Sequence, residues 1–126
     1  MLFGLGDGTD PWVFAHLPGK LPAGTYRIEA GMEISEANWA AIAWSLGTYR
    51  FDRYKTDKDD EWPNLLWPVG CDRAAVDRIT AATALVRDLI NMPAGDMGPG
   101  ELSGIAETMA GHHDAQCRVL VGEELL

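Results

Sequence analysis

The chain alternates short apolar runs with longer stretches of helical periodicity, and the turns between them are marked by proline and glycine. Met1–Leu5 is an apolar run that stops at Gly4-Leu5-Gly6-Asp7-Gly8, which reads as a strand entering a turn. Asp10 as cap and Pro11 at a first helical position predict a short helix over Pro11–Leu17, ended by Pro18. Thr25–Glu29 alternates as a strand does. From Ser35 to about Arg50, Trp39, Ile42, Ala43, Leu46 and Tyr49 recur at helical spacing, with Ser35 available as cap. Ala40, Ala41 and Trp44 fill the opposite side, so this helix is apolar nearly all round and needs cover on several sides.

The pattern continues in the second half. Tyr54–Glu61 is a polar connection with charges of both signs, and Leu65-Leu66-Trp67 is a brief strand ended by Pro68. Asp72 caps a long helix in which Val76, Ile79, Thr83, Val86 and Ile90 mark one face, widened by Ala82, Leu85 and Leu89. That helix breaks at Met92-Pro93, because a residue before proline avoids the helical region. Pro99 then opens a third helix with a narrow stripe of Leu102, Ile105, Ala106 and Met109, stopped at Gly111. Cys117–Val121 reads as a strand and Gly122–Leu126 as the start of a further helix. The expected fold class is therefore α/β, with short strands alternating with long helices near 35–50, 72–91 and 99–110, and with an incomplete, three-layer-type character. A strand at residue one and an uncapped helix start at the last residue suggest a chain that begins and stops inside a fold.

Composition narrows the function classes. At 126 residues the chain makes one ordinary domain or part of a larger one, and 47% hydrophobic with 23% charged residues is a globular composition. A formal charge of −9 opposes the phosphate attraction on which nucleic-acid binding depends, and the acidic excess is present in both halves. No run approaches the roughly 20 apolar residues of a membrane span, and the amino terminus lacks the basic and apolar regions of a secretory signal. Cys71 and Cys117 stand in no metal-ligand or redox spacing, which fits two free thiols in a reducing cytoplasm.

The candidate constellations each have a plainer reading. The Gly4–Gly8 turn matches neither phosphate-loop spacing, and Asp7 and Asp10 repel an anion. His112, His113, Asp114 and Cys117 are ligand types, but adjacent histidines on a helix end diverge by about 100°. Asp57, Asp59, Asp60 and Glu61 lack the calcium-loop pattern and are interspersed with Lys55 and Lys58. His16, His112 and His113 have no evident nucleophile partner, and no GxSxG elbow occurs. Trp39, Trp44, Trp62 and Trp67 sit at helical or strand spacing, which favours core over a binding platform.

One stretch is more specific. Arg87–Leu102, "RDLINMPAGDMGPGEL", resembles the "RDLIN-x-PAND-MGP-x-EL" passage of the leucyl aminopeptidase (cytosol aminopeptidase) family of metallopeptidases. Residues 40–55, "AAIAWSLGTYRFDRYK", and the final "VLVGEELL" are similar to that family's passages in the same order. The resemblance implies that residues 1–71 are the later part of an α/β N-terminal domain, 72–91 a connecting helix, and 92–126 the beginning of a catalytic domain. It also implies a chain short at both ends relative to family members.

For the complete family enzyme the resemblance implies hydrolysis of N-terminal residues from peptides in the cytoplasm, with two divalent ions, manganese or zinc, activating water and polarising the scissile carbonyl. Those ligands lie in passages resembling "VGKG-x-TFDTGG" and "NTDAEGR", and neither occurs here. No catalytic, cofactor-binding or metal-ligating residue of this chain is therefore assigned, and the chain alone is expected to be inactive. An alternative is a stand-alone interaction or oligomerisation module, with a homo-oligomer as one expectation. One departure is visible: Gly95 stands where the family usually has asparagine, whose side chain ties such turns.

Overall fold

A computed structural model describes residues 4, 6, 10–29, 31–56 and 61–125. The chain divides into two units, Met1–Asp88 and Leu89–Leu126. The expected strand at Met1–Leu5 and the acidic positions Asp57, Asp59 and Asp60 lie outside the described residues.

The first unit is built by local chemistry that sets each element's start. Asp10 Oδ1 accepts the Trp12 N–H at 2.8 Å, a side-chain turn that holds the chain back from helical geometry at Pro11. The expected Pro11–Leu17 helix is consequently only a 3-10 turn over Val13–His16. Its bonds span three residues, with Ala15 N–H donating to Trp12 O at 2.9 Å and Leu17 N–H to Phe14 O at 3.3 Å. Two three-residue strands follow, β1 (Gly24–Tyr26) and β2 (Pro63–Leu65), paired in parallel with Gly24 opposite Pro63, Thr25 opposite Asn64 and Tyr26 opposite Leu65. Both are shifted from expectation, β1 ending at Tyr26 rather than Glu29 and β2 beginning at Pro63 rather than Leu65. Pairing limits each strand to what its partner can match, and Pro63, lacking an N–H, fits as a first strand residue. The last rung is the Leu66 N–H to Tyr26 O at 2.8 Å.

Helix α1 (Ile34–Gly47) is the crossover between these strands. It starts one residue before the expected Ser35 cap, because the Glu36 carboxylate reaches back to the Glu33 N–H at 2.9 Å and makes Glu33 the cap. Its end at Gly47 falls short of the expected Arg50. The apolar pattern is realised on more than one side: Ala37, Ala40, Ala41, Ile42, Ala43 and Trp44 are buried, whereas Ile34 and Trp39 are exposed. Ala40, Ala43 and Trp44 pack on Phe14 and Leu17, with Tyr26, Ile28 and Leu65 around them. Ala41 and Ile42 pack on the other side against Val76, with Leu46 and Cys71 alongside. Small side chains let the backbones close in, and at Gly47 an added Cβ would collide with the Ala15 carbonyl. Trp44 places its indole N–H on Pro63 O at 3.3 Å, so the largest core residue leaves no buried donor unsatisfied.

Gly70, at φ 80°, supplies the left-handed position of the turn closed by Cys71 N–H to Pro68 O at 3.2 Å. Helix α2 (Arg73–Asn91) then starts where expected, with Asp72 Oδ1 accepting the Ala75 N–H at 3.0 Å. Polar contacts tie it to α1 along its length. Asp72 N–H donates to Asn38 Oδ1 at 2.8 Å, and the Tyr49 hydroxyl to Asp88 Oδ1 at 2.8 Å. Arg87 Nη1 donates to Leu46 O at 3.1 Å, covering a carbonyl of the last α1 turn where a cation is favoured. Of the apolar face read from the sequence, only Val76 is buried, while Ile79 and Val86 are exposed.

In the second unit, α2 gives way to a turn in which Asp96 N–H donates to Pro93 O at 2.9 Å. Gly95 is not required there by space, since a Cβ would meet nothing within 4 Å. Helix α3 (Pro99–His112) begins at Pro99, with the Glu101 carboxylate accepting the Gly98 N–H at 3.0 Å. It runs through the expected stop at Gly111. The ending is made instead by Asp114 at φ 51° and by Ala115 N–H donating to Ala110 O at 2.8 Å, a left-handed cap built on aspartate. The expected strand Cys117–Val121 is not formed, because the described residues of this unit offer it no strand to pair with. Gly122–Leu125, expected to start a helix, is a single 3-10 turn. The three helices and the parallel pair make an α/β fold among the described residues.

Candidate functional site

The concave feature with the most chemical character lies in the first unit, between α1 and β2. It is a cleft of about 240 Å³ lined by Trp44, Ser45, Thr48, Trp62, Asn64 and Trp67, among others. Two cations stack on its aromatic lining: the Arg50 guanidinium sits 4.6 Å from the Trp62 ring centre and that of Arg73 5.5 Å from Trp67. Hydroxyl, amide and indole groups can hydrogen-bond a small group, but none of the lining side chains titrates near neutrality. The cleft offers contact chemistry rather than proton transfer. A second hollow of about 460 Å³ has Arg27, Glu29, Met32 and Val69 on its walls, and there Arg27 and Glu29 are spent on an exposed ion pair with each other.

The tryptophans do not share one fate. Trp44 is buried core as expected, whereas Trp39 and Trp67 are exposed, and Trp39 meets Trp12 edge to face at 5.6 Å. The arginine partners of Trp62 and Trp67 were not part of the sequence reading. Arg50 and Trp62 are brought together only by the fold, so no local spacing announces them; Arg73, six residues beyond Trp67 and at the head of α2, was the more findable of the two.

The polar constellations stay apart. His16 is exposed at the end of the 3-10 turn, and His112 and His113 are exposed at the end of α3. Cys117 is exposed and Cys71 half-buried, both as free thiols. Burial pushes the Cys71 thiol up from its ordinary value, and the Asp72 carboxylate pushes it the same way, against a weaker opposite pull from Arg73. It is held as a thiol, poorly suited to nucleophilic attack or metal ligation. Among the described residues, no three His, Cys, Asp or Glu side chains gather to hold a metal ion. Nor is any described helix long and apolar enough to cross a membrane.

Comparison with known proteins gives these features a context. Residues 1–68 match the family described as M17 aminopeptidase, N-terminal domain. A probable cytosol aminopeptidase of Syntrophotalea carbinolica is 31% identical over 110 residues, covering 76% of this chain and 22% of that protein. One of Nitratidesulfovibrio vulgaris is 38% identical over 93 residues, covering 64% of this chain and 18% of its own length. The crystal structure of the cytosol aminopeptidase from Coxiella burnetii superposes with a TM-score of 0.83 at 29% identity, over 93% of this chain and 26% of that one. The chain thus spans about a fifth to a quarter of the relatives it matches. More than half of it fits the family profile and its fold superposes on a solved member: the chain belongs to the M17 aminopeptidase family.

Proposed function

We propose that this chain is part of a metal-dependent, leucyl-type aminopeptidase that removes N-terminal residues from peptides in the cytoplasm, and that it performs no hydrolysis alone. In this reading residues 1–71 are the closing part of the N-terminal α/β domain within a layered fold, 72–91 the connecting helix, and 92–126 the opening of the catalytic domain. The observation that carries it is the superposition on the Coxiella burnetii enzyme, in which nearly the whole chain occupies a quarter of that structure. The names of the curated relatives support the activity and the compartment.

The family's two divalent ions do not fit the described residues, which bring no suitable carboxylate, imidazole or thiolate set together. What these residues supply is framework: α1 as a packed centre, α2 anchored to it by Asn38, Leu46 and Tyr49, and α3 presented beyond the Pro93 turn. The test is hydrolysis of a leucyl anilide by the purified chain with added manganese or zinc. No turnover above the metal-only background is expected, and metal-dependent turnover would overturn the proposal.

A second reading, a stand-alone interaction module, draws on the exposed apolar side chains Ile79, Val86, Leu102 and Met109. Sedimentation separates the two, since a monodisperse monomer counts against self-association.

A further inference from the structure

The cleft between α1 and β2 has two properties that a framework role leaves unused. The first is the sign of its charge. In a chain of formal charge −9, none of the described lining residues is acidic, and the charged groups stacked on that lining are both arginines, Arg50 on Trp62 and Arg73 on Trp67. The acidic residues beside these groups in sequence, Asp52, Glu61 and Asp72, are off the walls; Asp52 pairs with Lys55, and Asp72 accepts the Ala75 N–H. Arg73 is exposed and makes no hydrogen bond or ion pair among the described residues, Asp77 one turn along α2 included. Stacking occupies the face of its guanidinium and leaves the N–H groups at its edge for an acceptor. The second property is a pair of unspent polar groups. Thr80, Thr83, Ser103 and Thr108 each return their hydroxyl to a carbonyl of their own helix. Ser45, half-buried on the α1 wall, does not, and the Asn64 amide on the β2 side is likewise without a partner among the described residues.

We infer that this cleft binds a small aromatic carboxylate, its ring against Trp62 and Trp67 and its carboxylate on the Arg73 guanidinium, with Ser45 and Asn64 supplying neutral hydrogen bonds. The binding does not depend on the aminopeptidase reading. Size limits the ligand first: about 240 Å³ lies below the roughly 300–1,000 Å³ of pockets for drug-sized molecules and fits one ring with a short acid arm. Charge limits it next. A guanidinium edge bonds a carboxylate more strongly than a neutral acceptor. An ammonium is the poorer guest, because guanidinium groups already lie on two of the aromatic rings and no described carboxylate stands on the walls to receive it.

The experiment follows the indole N–H signals of the intact, nitrogen-15-labelled chain by NMR during titration with phenylacetate, with its neutral isostere phenylacetamide and with the cation phenethylamine. Phenylacetate is expected to shift the Trp62 and Trp67 signals saturably, with half-saturation at about 1–10 mM for so small a molecule. The exposed Trp12–Trp39 pair, which is not on the cleft walls, serves as the internal control and should stay in place. Phenylacetamide and phenethylamine should bind at least about fivefold more weakly, and Arg73→Gln should weaken phenylacetate by about fivefold. Arg73 is exposed, so this variant should keep the parent spectrum away from the cleft, and Ser45→Ala should give a smaller loss in the same direction. Four results would each overturn the site: no saturable shift with phenylacetate, equal shifts at Trp12 and Trp39, equal affinity for phenylacetamide, or unchanged affinity in a folded Arg73→Gln chain.

Discussion

Two helices of equal length, α1 and α3, show what a shared framework does for a segment. Each has fourteen residues, and each starts with a glutamate three places in reaching back to the cap N–H. By local chemistry they are near twins. Yet α1 has six buried residues and α3 none, because only α1 has apolar neighbours on more than one side. Capping sets where a helix begins, and packing decides whether it carries the stability of the fold.

The sharpest way to break this contrast is to cut into α1. Trp44→Ala should cost about 3–5 kcal/mol, since it empties core volume and strips Pro63 O of its indole partner. Urea denaturation would register it as a lower midpoint. Leu102→Ala on α3 should change the stability read by the same titration by less than about 0.5 kcal/mol, as an exposed position does. Next in size, Gly47→Ala drives a methyl into the Ala15 carbonyl and should cost about 1–3 kcal/mol, read by the same titration. Asp72→Ala removes the α2 cap and should cost about 1 kcal/mol.

The smallest effect is chemical rather than energetic. Cys71, beside the α1 core, has its thiol pushed up by burial and by Asp72, so it is protonated to higher pH than an ordinary thiol. Its alkylation by iodoacetamide, followed by mass spectrometry, should lag behind that of exposed Cys117 at mildly alkaline pH and gain as pH rises further. Equal labelling throughout would mean that Cys71 is not held as described.

What could be read before folding follows the same division. Features set by a few neighbouring residues were legible: the Asp72 cap, the break at Met92-Pro93, Pro99 at the head of α3, and the burial of α1 on more than one side. Features that depend on a distant partner were not. The strand limits at Tyr26 and Pro63 come from pairing, and Cys117–Val121 pairs with no strand among the described residues, so alternation alone did not make it one. Glu33 as cap was not legible because the reach of Glu36 back to it is a matter of rotamer, and Asp114 as stop was not because aspartate adopts left-handed geometry less often than glycine. For the cleft, the tryptophans were named but treated as core, and the cations that stack on two of them became visible only in the fold.

Residue-resolved hydrogen exchange on the intact chain tests the central contrast most directly. The amides of Ala40–Trp44 should exchange only through global unfolding, slowing in step with overall stability, while those of Gly104–Ala110 exchange through local opening and ignore it. Equal protection in α1 and α3, falling together under denaturant, would contradict the account.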